Sequence, residues 1–229
     1  MADIAVHTKL FVGIFGGTFV QKGALSAVKF PNMLVALRKT ASAGPSQGSV
    51  LDHFGFKVRD IAAMRSELEA LGYTVHDEFK GVEGFPNAYV DGPDGLRLEM
   101  QEDVSLSVKA LPNHVHFFTP DYAKLLDWYA DAFALAKKNR GRMQTTADVG
   151  TVNLSFTTSS RPVVATQGRT VDHIGFEVTN LDAFLKQLEA KGIKPDSPMT
   201  ELPSLGLKVA FLTDPSGTYI ELTEGLSAY

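Results

Sequence analysis

The amino-acid sequence predicts an α+β fold made of tandem βαβββ units, each with a strand, a helix and about three further strands. An internal repeat is the first observation behind this prediction: residues 51–58 (LDHFGFKV) recur at 171–178 (VDHIGFEV), an offset of 120 positions. The shorter segments 46–48 (SQG) and 166–168 (TQG) repeat at the same offset of 120. Since repetition at a fixed spacing indicates duplicated structural units, the chain consists of two related halves of about 120 residues.

Each half divides again into two units, because a third segment has the same layout. Residues 113–121 (NHVHFFTPD) place a histidine seven positions before an aspartate, as the other two segments place theirs before a helix-capping residue. The three N-cap candidates are Asp60, Asp121 and Asn180, and an amphipathic segment follows each of them. We therefore expect a helix to begin at each position, directly after the first strand of a unit.

Strand-like segments follow the predicted helices. They are 85–90 and 96–100 in the first half and 207–212 and 218–222 in the second. A cluster of Gly, Pro and Asp or Ser separates the two members of each pair, which is typical of a hairpin turn. Together with the opening strand and the helix, these segments complete the repeated unit.

The first of the four expected units is incomplete. Residues 10–15 correspond to helical positions 128–133 of the second half, and too few residues precede them to supply a strand. Residues 4–12 are nevertheless apolar and β-branched enough to form a substitute strand. The predicted organisation is an N-terminal pair of units at 1–108, whose first unit lacks its opening strand, and a C-terminal pair at 109–229.

An absent opening strand leaves one sheet edge of the first half without a partner. Unpaired backbone N–H and C=O groups at such an edge invite pairing with another chain. We therefore expect a homodimer held by residues 1–40 or by the faces of the sheets. If residues 4–12 fill the gap instead, the chain stays monomeric.

Composition excludes several classes of partner. The net charge is −4 and no basic run stands out, so we expect no nucleic-acid partner. Cysteine is absent, which rules out disulfides and thiolate zinc sites. No apolar run is long enough to span a membrane, and the first residues do not resemble a signal peptide. We expect a cytoplasmic protein with no membrane partner.

Each half carries one histidine and one glutamate at equivalent positions. His53 and His173 lie on the first strand of their units, and Glu99 and Glu221 lie on the last strands, 122 positions apart. One strand histidine is most often a packed or surface residue. Because imidazole and carboxylate groups are common metal ligands, their joint repetition indicates a metal site built by duplication.

These motifs resemble the vicinal oxygen chelate superfamily, which includes glyoxalase I, fosfomycin-resistance proteins, bleomycin-binding proteins and extradiol dioxygenases. The resemblance lies in Asp-His-x-Gly-Phe at 52–56 and 172–176, Asp-Pro-Ser-Gly at 214–217, Ile-Glu-Leu at 220–222 and Trp-Tyr at 128–129. It implies curved mixed sheets around a cavity that holds a divalent metal. The ligands then come from the first strand of each unit and from the last strand of one or both units.

The resemblance implies that the second half supplies the metal ligands His114, His173 and Glu221, with Glu221 also the candidate catalytic residue. The fourth-strand position of the third unit falls at Asn153 or Ser155. Neither is a carboxylate, so the four-ligand pattern of glyoxalase I is not met. Two histidines and one carboxylate leave metal positions open for substrate. We expect one divalent ion per chain: Fe, Mn, Zn or Ni.

Three further residues are alternatives around this site. His116 lies on the same strand face as His114, so it could replace His114 as a ligand or line the pocket. Asn153 and Tyr219 are the other candidate ligand or pocket residues, although Tyr219 could equally be an ordinary core tyrosine. The alignment of His114 with His173 favours His114 as the ligand.

The first half is expected to hold only a degenerate site. The resemblance leaves it with His53 and Glu99, and the strand that would carry a third ligand is missing. A structural role is the favoured interpretation of this pair. Arg140 and Arg142 belong to a basic cluster that is most simply a solvated loop, but that could instead bind a substrate carboxylate.

The resemblance supports two classes of function. The first is a divalent-metal-dependent enzyme acting on a small, oxygen-rich, chelating substrate, as an isomerase, a lyase or a ring-cleaving dioxygenase. Against a dioxygenase, Phe211 stands where extradiol enzymes have a tyrosine, and no histidine follows His173. The alternative is a protein that sequesters a ligand without catalysis, as bleomycin-resistance proteins do.

Overall fold

The fold is described from a computed structural model of residues 1–229, apart from the side chains of residues 144 and 145. The α-helices are α1 (Ile4–Thr8), α2 (Ile61–Ala70), α3 (Tyr122–Ala132) and α4 (Leu181–Ala190), and a π-helical segment (Lys9–Ile14) continues α1. The first eight strands are β1 (Thr18–Lys22), β2 (Leu25–Phe30), β3 (Met33–Leu37), β4 (Leu51–Val58), β5 (Thr74–Val75), β6 (Phe79–Lys80), β7 (Pro86–Asp91) and β8 (Arg97–Glu102). The remaining strands are β9 (Ala110–Thr119), β10 (Lys137–Arg140), β11 (Met143–Val149), β12 (Val152–Thr158), β13 (His173–Glu177), β14 (Thr200–Leu202), β15 (Leu207–Thr213) and β16 (Tyr219–Glu224).

The predicted helix starts are confirmed, and each is fixed by a side-chain cap. Asp60 Oδ1 accepts a hydrogen bond from the amide three residues on in α2, at 2.9 Å. Asp121 and Asn180 accept the equivalent bonds at the starts of α3 and α4, at 3.2 and 2.9 Å. Each bond satisfies an amide that has no partner within its helix, which is why the helix begins there.

The first unit lacks an opening strand, as the sequence predicts. The alternative that residues 4–12 form a strand is wrong, because residues 4–14 are helical in α1 and the π-helical segment. Asp3 caps this helix at the amide of Ala5, and the helix buries Leu10 and Phe11. Strands β1, β2 and β3 then form a three-stranded antiparallel sheet.

A nine-stranded sheet joins the second and third units. Its order is β10-β11-β12-β9-β4-β8-β7-β5, with β6 also paired to β7. At its centre β4 and β9, the first strands of the two units, pair antiparallel. On their outer sides β4 pairs parallel with β8, and β9 pairs parallel with β12. The sheet contains strands from both sides of residue 108, so the two predicted halves share it. The domain limits 1–108 and 109–229 stay a prediction.

The fourth unit forms a separate four-stranded sheet, in the order β13-β16-β15-β14. Strand β13 corresponds to β4 and β9 in the repeat, yet among the described strands it pairs only with β16. Edges are therefore present at β13 as well as in the three-stranded sheet of the first unit. A homodimer through such an edge stays a prediction.

Alternation along β4 separates an apolar face from a polar one. Phe54, Phe56 and Val58 point into the hydrophobic core, where the Phe56 ring lies 4.5 Å from the ring of Phe15. Burying one such aromatic side chain stabilises the fold by about 1.5–3 kcal/mol. Since successive side chains in a strand point to opposite faces, His53 projects from the other face of the sheet.

No helix in the described part of the chain is long and apolar enough to cross a bilayer.

Candidate metal centre

Four buried side chains meet on the polar face of the nine-stranded sheet. They are His53 on β4, Glu99 on β8, and His114 and His116 on β9. One nitrogen or carboxylate oxygen from each lies within 4.8 Å of the others. The four residues are between 0 and 8 % exposed. Such a concentration of buried ligand atoms is unusual unless the groups are paired or coordinate an ion.

Strand register brings these side chains together. In the antiparallel pair of β4 and β9, Gly55 lies opposite His114 and His53 lies opposite His116. In the parallel pair of β4 and β8, Gly55 lies opposite Glu99. A Cβ atom at Gly55 would lie 2.2 Å from Cε1 of His114, so the His114 ring occupies the space that a side chain at 55 would need. Glycine at this position is what allows His114 to reach Glu99 across β4.

Glu99 is the centre of the cluster. Its Oε2 lies 3.0 Å from Nε2 of His53 and 3.4 Å from Nε2 of His114. Its Oε1 accepts a hydrogen bond from the Asn87 side chain. Nε2 of His114 is buried and has no hydrogen-bond partner. A cation bound by the carboxylate and by this nitrogen would give the nitrogen a partner.

Asp52 fixes the orientation of His53. Nδ1 of His53 donates to Asp52 Oδ1 at 2.8 Å, which leaves Nε2 facing Glu99. Asp52 is itself held by the backbone amide of Gly48, which donates to Oδ2 at 3.0 Å. Gly48 has a φ of 83°, a left-handed conformation that aims this amide at the carboxylate. A carboxylate that orients a histidine in this way is common behind metal-binding histidines.

The pKa values of His53 and Glu99 shift in the directions expected for a buried ion pair. Burial lowers the pKa of His53, but hydrogen bonds to Asp52 and Glu99 outweigh burial and raise that pKa above its ordinary value. Burial raises the pKa of Glu99, but the neighbouring imidazoles of His114 and His53 outweigh burial and hold that pKa well below its usual range. Glu99 is therefore an anion that faces both rings.

His114 and His116 are neutral. Burial lowers the pKa of His114 although Glu99 opposes the shift. Burial lowers the pKa of His116 well below its ordinary value, and the nearby rings of His53 and His114 add to this shift. Nε2 of His116 lies 2.8 Å from Thr157 Oγ1, and its buried Nδ1 has no partner. Neutral imidazole is the form that binds metals, so both rings have lone pairs to offer.

The neighbouring strand β12 places the amide of Asn153 and the hydroxyl of Ser155 beside the two histidines of β9. Asn153 lies opposite His114, and Ser155 lies opposite His116. Ser155 Oγ donates to Asn153 Oδ1 at 2.7 Å and accepts from Arg140 Nη1 at 3.1 Å. On this side of the cluster the described side chains are therefore an amide and a hydroxyl and not a second carboxylate.

A second, smaller group repeats part of this arrangement in the four-stranded sheet. Nδ1 of His173 donates to Asp172 Oδ1 at 2.7 Å, and Nε2 lies 3.1 Å from Glu221 Oε2. The rings of Phe211 and Tyr219 lie beside His173, with centroids 6.1 and 6.2 Å away. The His173 side chain is 27 % exposed. Within the part of the chain that the structure describes, no third ligand joins His173 and Glu221.

The predicted grouping of His114 with His173 and Glu221 is therefore not the one that the described side chains form. The pair His53 and Glu99, predicted to be a degenerate site, instead gains His114 through the pairing of β4 with β9. The repeat shows that the units are related, but it does not show which first strands pair. The glycine at 55 opposite His114 was the one local signal of this pairing.

Tyr89 is a further site residue that the sequence did not indicate. It lies opposite Glu99, as Phe211 lies opposite Glu221. Its ring centroid is 5.2 Å from that of His53. Burial and the charge of Glu99 raise the pKa of Tyr89 far above its ordinary value, so the phenol keeps its proton. The tyrosine missing beside the second pair is thus present beside the first.

We expect His173 to titrate near pH 9 in protein treated with a chelator. Burial lowers its pKa, but hydrogen bonds to Asp172 and Glu221 outweigh burial and raise the pKa from 6.5 to about 9. A raised pKa in the folded state stabilises the fold fully below the unfolded pKa, about 6.5. This contribution is lost as the pH rises through about 9. Proton NMR of the imidazole against pH gives the midpoint, and Glu221→Gln should lower it. A wild-type midpoint at or below 6.5 would contradict the ion pair.

Known proteins resemble this chain in sequence over one segment and in fold over nearly its whole length. Residues 111–222 match the model of the Glyoxalase/Bleomycin resistance protein/Dioxygenase superfamily. Glyoxalase I from Zea mays is similar in structure, with a TM-score of 0.76 and 16% sequence identity over 98% of this chain and 89% of that chain. A candidate dioxygenase from Bacillus subtilis has a TM-score of 0.70 and 12% identity over 98% of this chain and 82% of that chain. No curated protein matches the sequence.

The chain as a whole therefore has the fold of these two solved structures. Its segment 111–222 is similar to the Glyoxalase/Bleomycin resistance protein/Dioxygenase superfamily. Because this fold hosts several chemistries, the reaction depends on the side chains of the cluster and not on the fold.

Proposed function

We propose that the chain is a divalent-metal-dependent enzyme whose metal is held by His53, Glu99 and His114. The observation that carries the proposal is the buried Nε2 of His114, which has no hydrogen-bond partner and lies 3.4 Å from Glu99 Oε2. A divalent cation held by these three residues would balance the negative charge of Glu99. The orphaned nitrogen would then gain a partner.

The donor set fits a divalent transition metal. Two neutral imidazoles and one carboxylate leave the ion with a net positive charge and leave coordination positions open. When bound, such an ion supplies Lewis-acid chemistry, because it polarises an oxygen that coordinates it. A small substrate with two neighbouring oxygen atoms suits the open positions. We propose an isomerase, lyase or ring-cleaving reaction on such a substrate.

The residues around the ligands would orient them and the substrate. Asp52 holds the His53 ring with Nε2 toward Glu99, and Asn87 holds the other oxygen of Glu99. The unpartnered Nδ1 of His116 would form a hydrogen bond with the substrate. Tyr89 keeps its proton beside His53 and would donate a hydrogen bond to a substrate oxygen.

Metal analysis of protein purified without added metal tests the proposal. We expect about one divalent ion per chain and an unchanged far-ultraviolet circular dichroism spectrum after chelation, because the large apolar core does not depend on the ion. Loss of the folded spectrum would mean that the ion is structural. A protein with no bound ion under any divalent metal would refute the metal site.

Chelation also separates the enzyme from the sequestering alternative. An enzyme should lose turnover of a chelating substrate when the metal is removed and recover it when the metal returns. A sequestering protein should keep its ligand in the presence of the chelator. Retention of the ligand with no turnover at any metal load would favour the second function.

A further inference from the structure

Arg140 is a buried cation beside the proposed metal site. Its side chain is 8 % exposed, and Nη1 donates to Ser155 Oγ at 3.1 Å. Ser155 lies opposite His116 in the pairing of β12 with β9, so the guanidinium is one strand away from the cluster. The notion that Arg140 belongs to a solvated loop is therefore wrong, whereas Arg142 is exposed. A buried charged side chain is normally paired with an opposite charge and hydrogen-bonded.

The partner in this structure is a carboxylate from a loop. Glu83 Oε2 lies 3.3 Å from Nε of Arg140 and accepts from Gln101 Nε2 at 3.1 Å. The contact with Arg140 is poorly aligned, because Nε makes no hydrogen bond. Glu83 is itself 26 % exposed in its side chain. Arg140 is thus neutralised by a carboxylate that reaches in from the surface without satisfying the fork geometry that arginine offers.

The loop that carries Glu83 contacts the turn that follows Arg140. It connects β6 to β7 and turns at Gly84, whose φ is 87°. One backbone bond ties it to the turn between β10 and β11, where the amide of Arg142 donates to Val82 O at 3.0 Å. A Cβ atom at Gly141 would lie 2.2 Å from that same oxygen, so the close approach requires glycine. The loop therefore touches this turn through Val82 and reaches Arg140 through Glu83.

We propose that Arg140 is a specificity-determining residue that binds a carboxylate of the substrate, and that Glu83 occupies this place in the free protein. The inference rests on the proposed function, since the substrate must also chelate the ion held by His53, Glu99 and His114. The substrate class is then narrowed to oxygen chelators that bear an additional carboxylate. Binding exchanges Glu83 for the substrate carboxylate, whose two oxygens can accept hydrogen bonds from two N–H groups along one edge of the guanidinium.

Two small chelators that differ by one carboxylate test the inference. Catechol and 3,4-dihydroxybenzoate present the same pair of neighbouring oxygens, and only the second has a carboxylate. Their dissociation constants are measured by calorimetry on the Zn²⁺-loaded protein, because Zn²⁺ is redox-inert. The wild type should prefer 3,4-dihydroxybenzoate, and Arg140→Gln should reduce the ratio of the two affinities about tenfold, as expected for a charge-assisted hydrogen bond.

Two further variants keep the outcome specific. Arg142→Gln removes the same charge from an exposed neighbour and should leave the ratio unchanged. Glu83→Gln removes the competing carboxylate, so it should tighten 3,4-dihydroxybenzoate binding severalfold and leave catechol binding unaltered. This variant tests the inference even if Arg140→Gln does not fold.

The possible failures are distinguishable. If Zn²⁺ does not bind to the wild type, the proposed function fails and the inference fails with it. If Zn²⁺ and catechol bind but the affinity ratio is the same in the wild type and Arg140→Gln, the inference alone is overturned. An equal loss in Arg142→Gln would also overturn it, because the effect would then be one of overall charge.

Discussion

Replacing Glu99 by glutamine is expected to lower the affinity for a divalent ion by about a hundredfold or more. Even residues behind the ligands typically alter metal affinity by about 10–100-fold, and Glu99 is the only anion that faces both His53 and His114 among the described residues. Glutamine keeps the size of the side chain and the position of its oxygen but removes the negative charge. Titration with Zn²⁺ in the presence of a competing chromophoric chelator measures the change.

The repeat provides the matched control for this variant. Glu221→Gln makes the same change in the pair with His173, which lacks a third ligand within the described residues. We expect Glu221→Gln to leave the ion affinity of the site formed by His53, Glu99 and His114 within about twofold of the wild type. The reverse result, with Glu221→Gln abolishing binding and Glu99→Gln sparing it, would assign the ion to the second pair.

Replacing Gly55 by alanine is expected to disrupt the site by displacing the His114 ring. The added Cβ would lie 2.2 Å from Cε1 of His114, and this ring is fully buried. Relieving the overlap moves the ring or the strands, which costs about 1–3 kcal/mol in the free energy of unfolding. Alanine in a strand recovers only about 0.5–1 kcal/mol relative to glycine, so the clash dominates. Urea denaturation and Zn²⁺ titration should both show a loss.

Gly175→Ala is the corresponding control in the other copy of the motif. The nearest atom to a Cβ at 175 is the Glu221 backbone oxygen at 3.9 Å, an ordinary contact. This variant should be neutral or slightly stabilising, and its metal affinity should not change. If both alanine variants behaved alike, the requirement for space at Gly55 would have to be abandoned.

The units of the fold could be predicted from the sequence, because their signals are local. Asp60, Asp121 and Asn180 cap the helices as expected, since a cap depends only on residues three positions apart. The opening segment was ambiguous between helix and strand at 4–12, and burial of Leu10 and Phe11 within the core decides for helix.

The grouping of the candidate ligands could not be predicted, because it depends on pairing between strands that are far apart in the chain. An offset of 120 relates His53 to His173, but it is equally compatible with units paired within a half or across the halves. The pairing of β4 with β9 decides between them. The contact between Arg140 and Glu83 is similarly invisible, because a loop position with no periodic pattern supplies the carboxylate.

The pairing of β4 with β9 also has a consequence for the nascent chain. All four residues of the cluster lie within the first 116 positions of a chain of 229. At about 5–20 residues per second of synthesis, the remaining half takes on the order of ten seconds to appear. The residues proposed to hold the ion are therefore all synthesised before the strands that carry His173 and Glu221 exist.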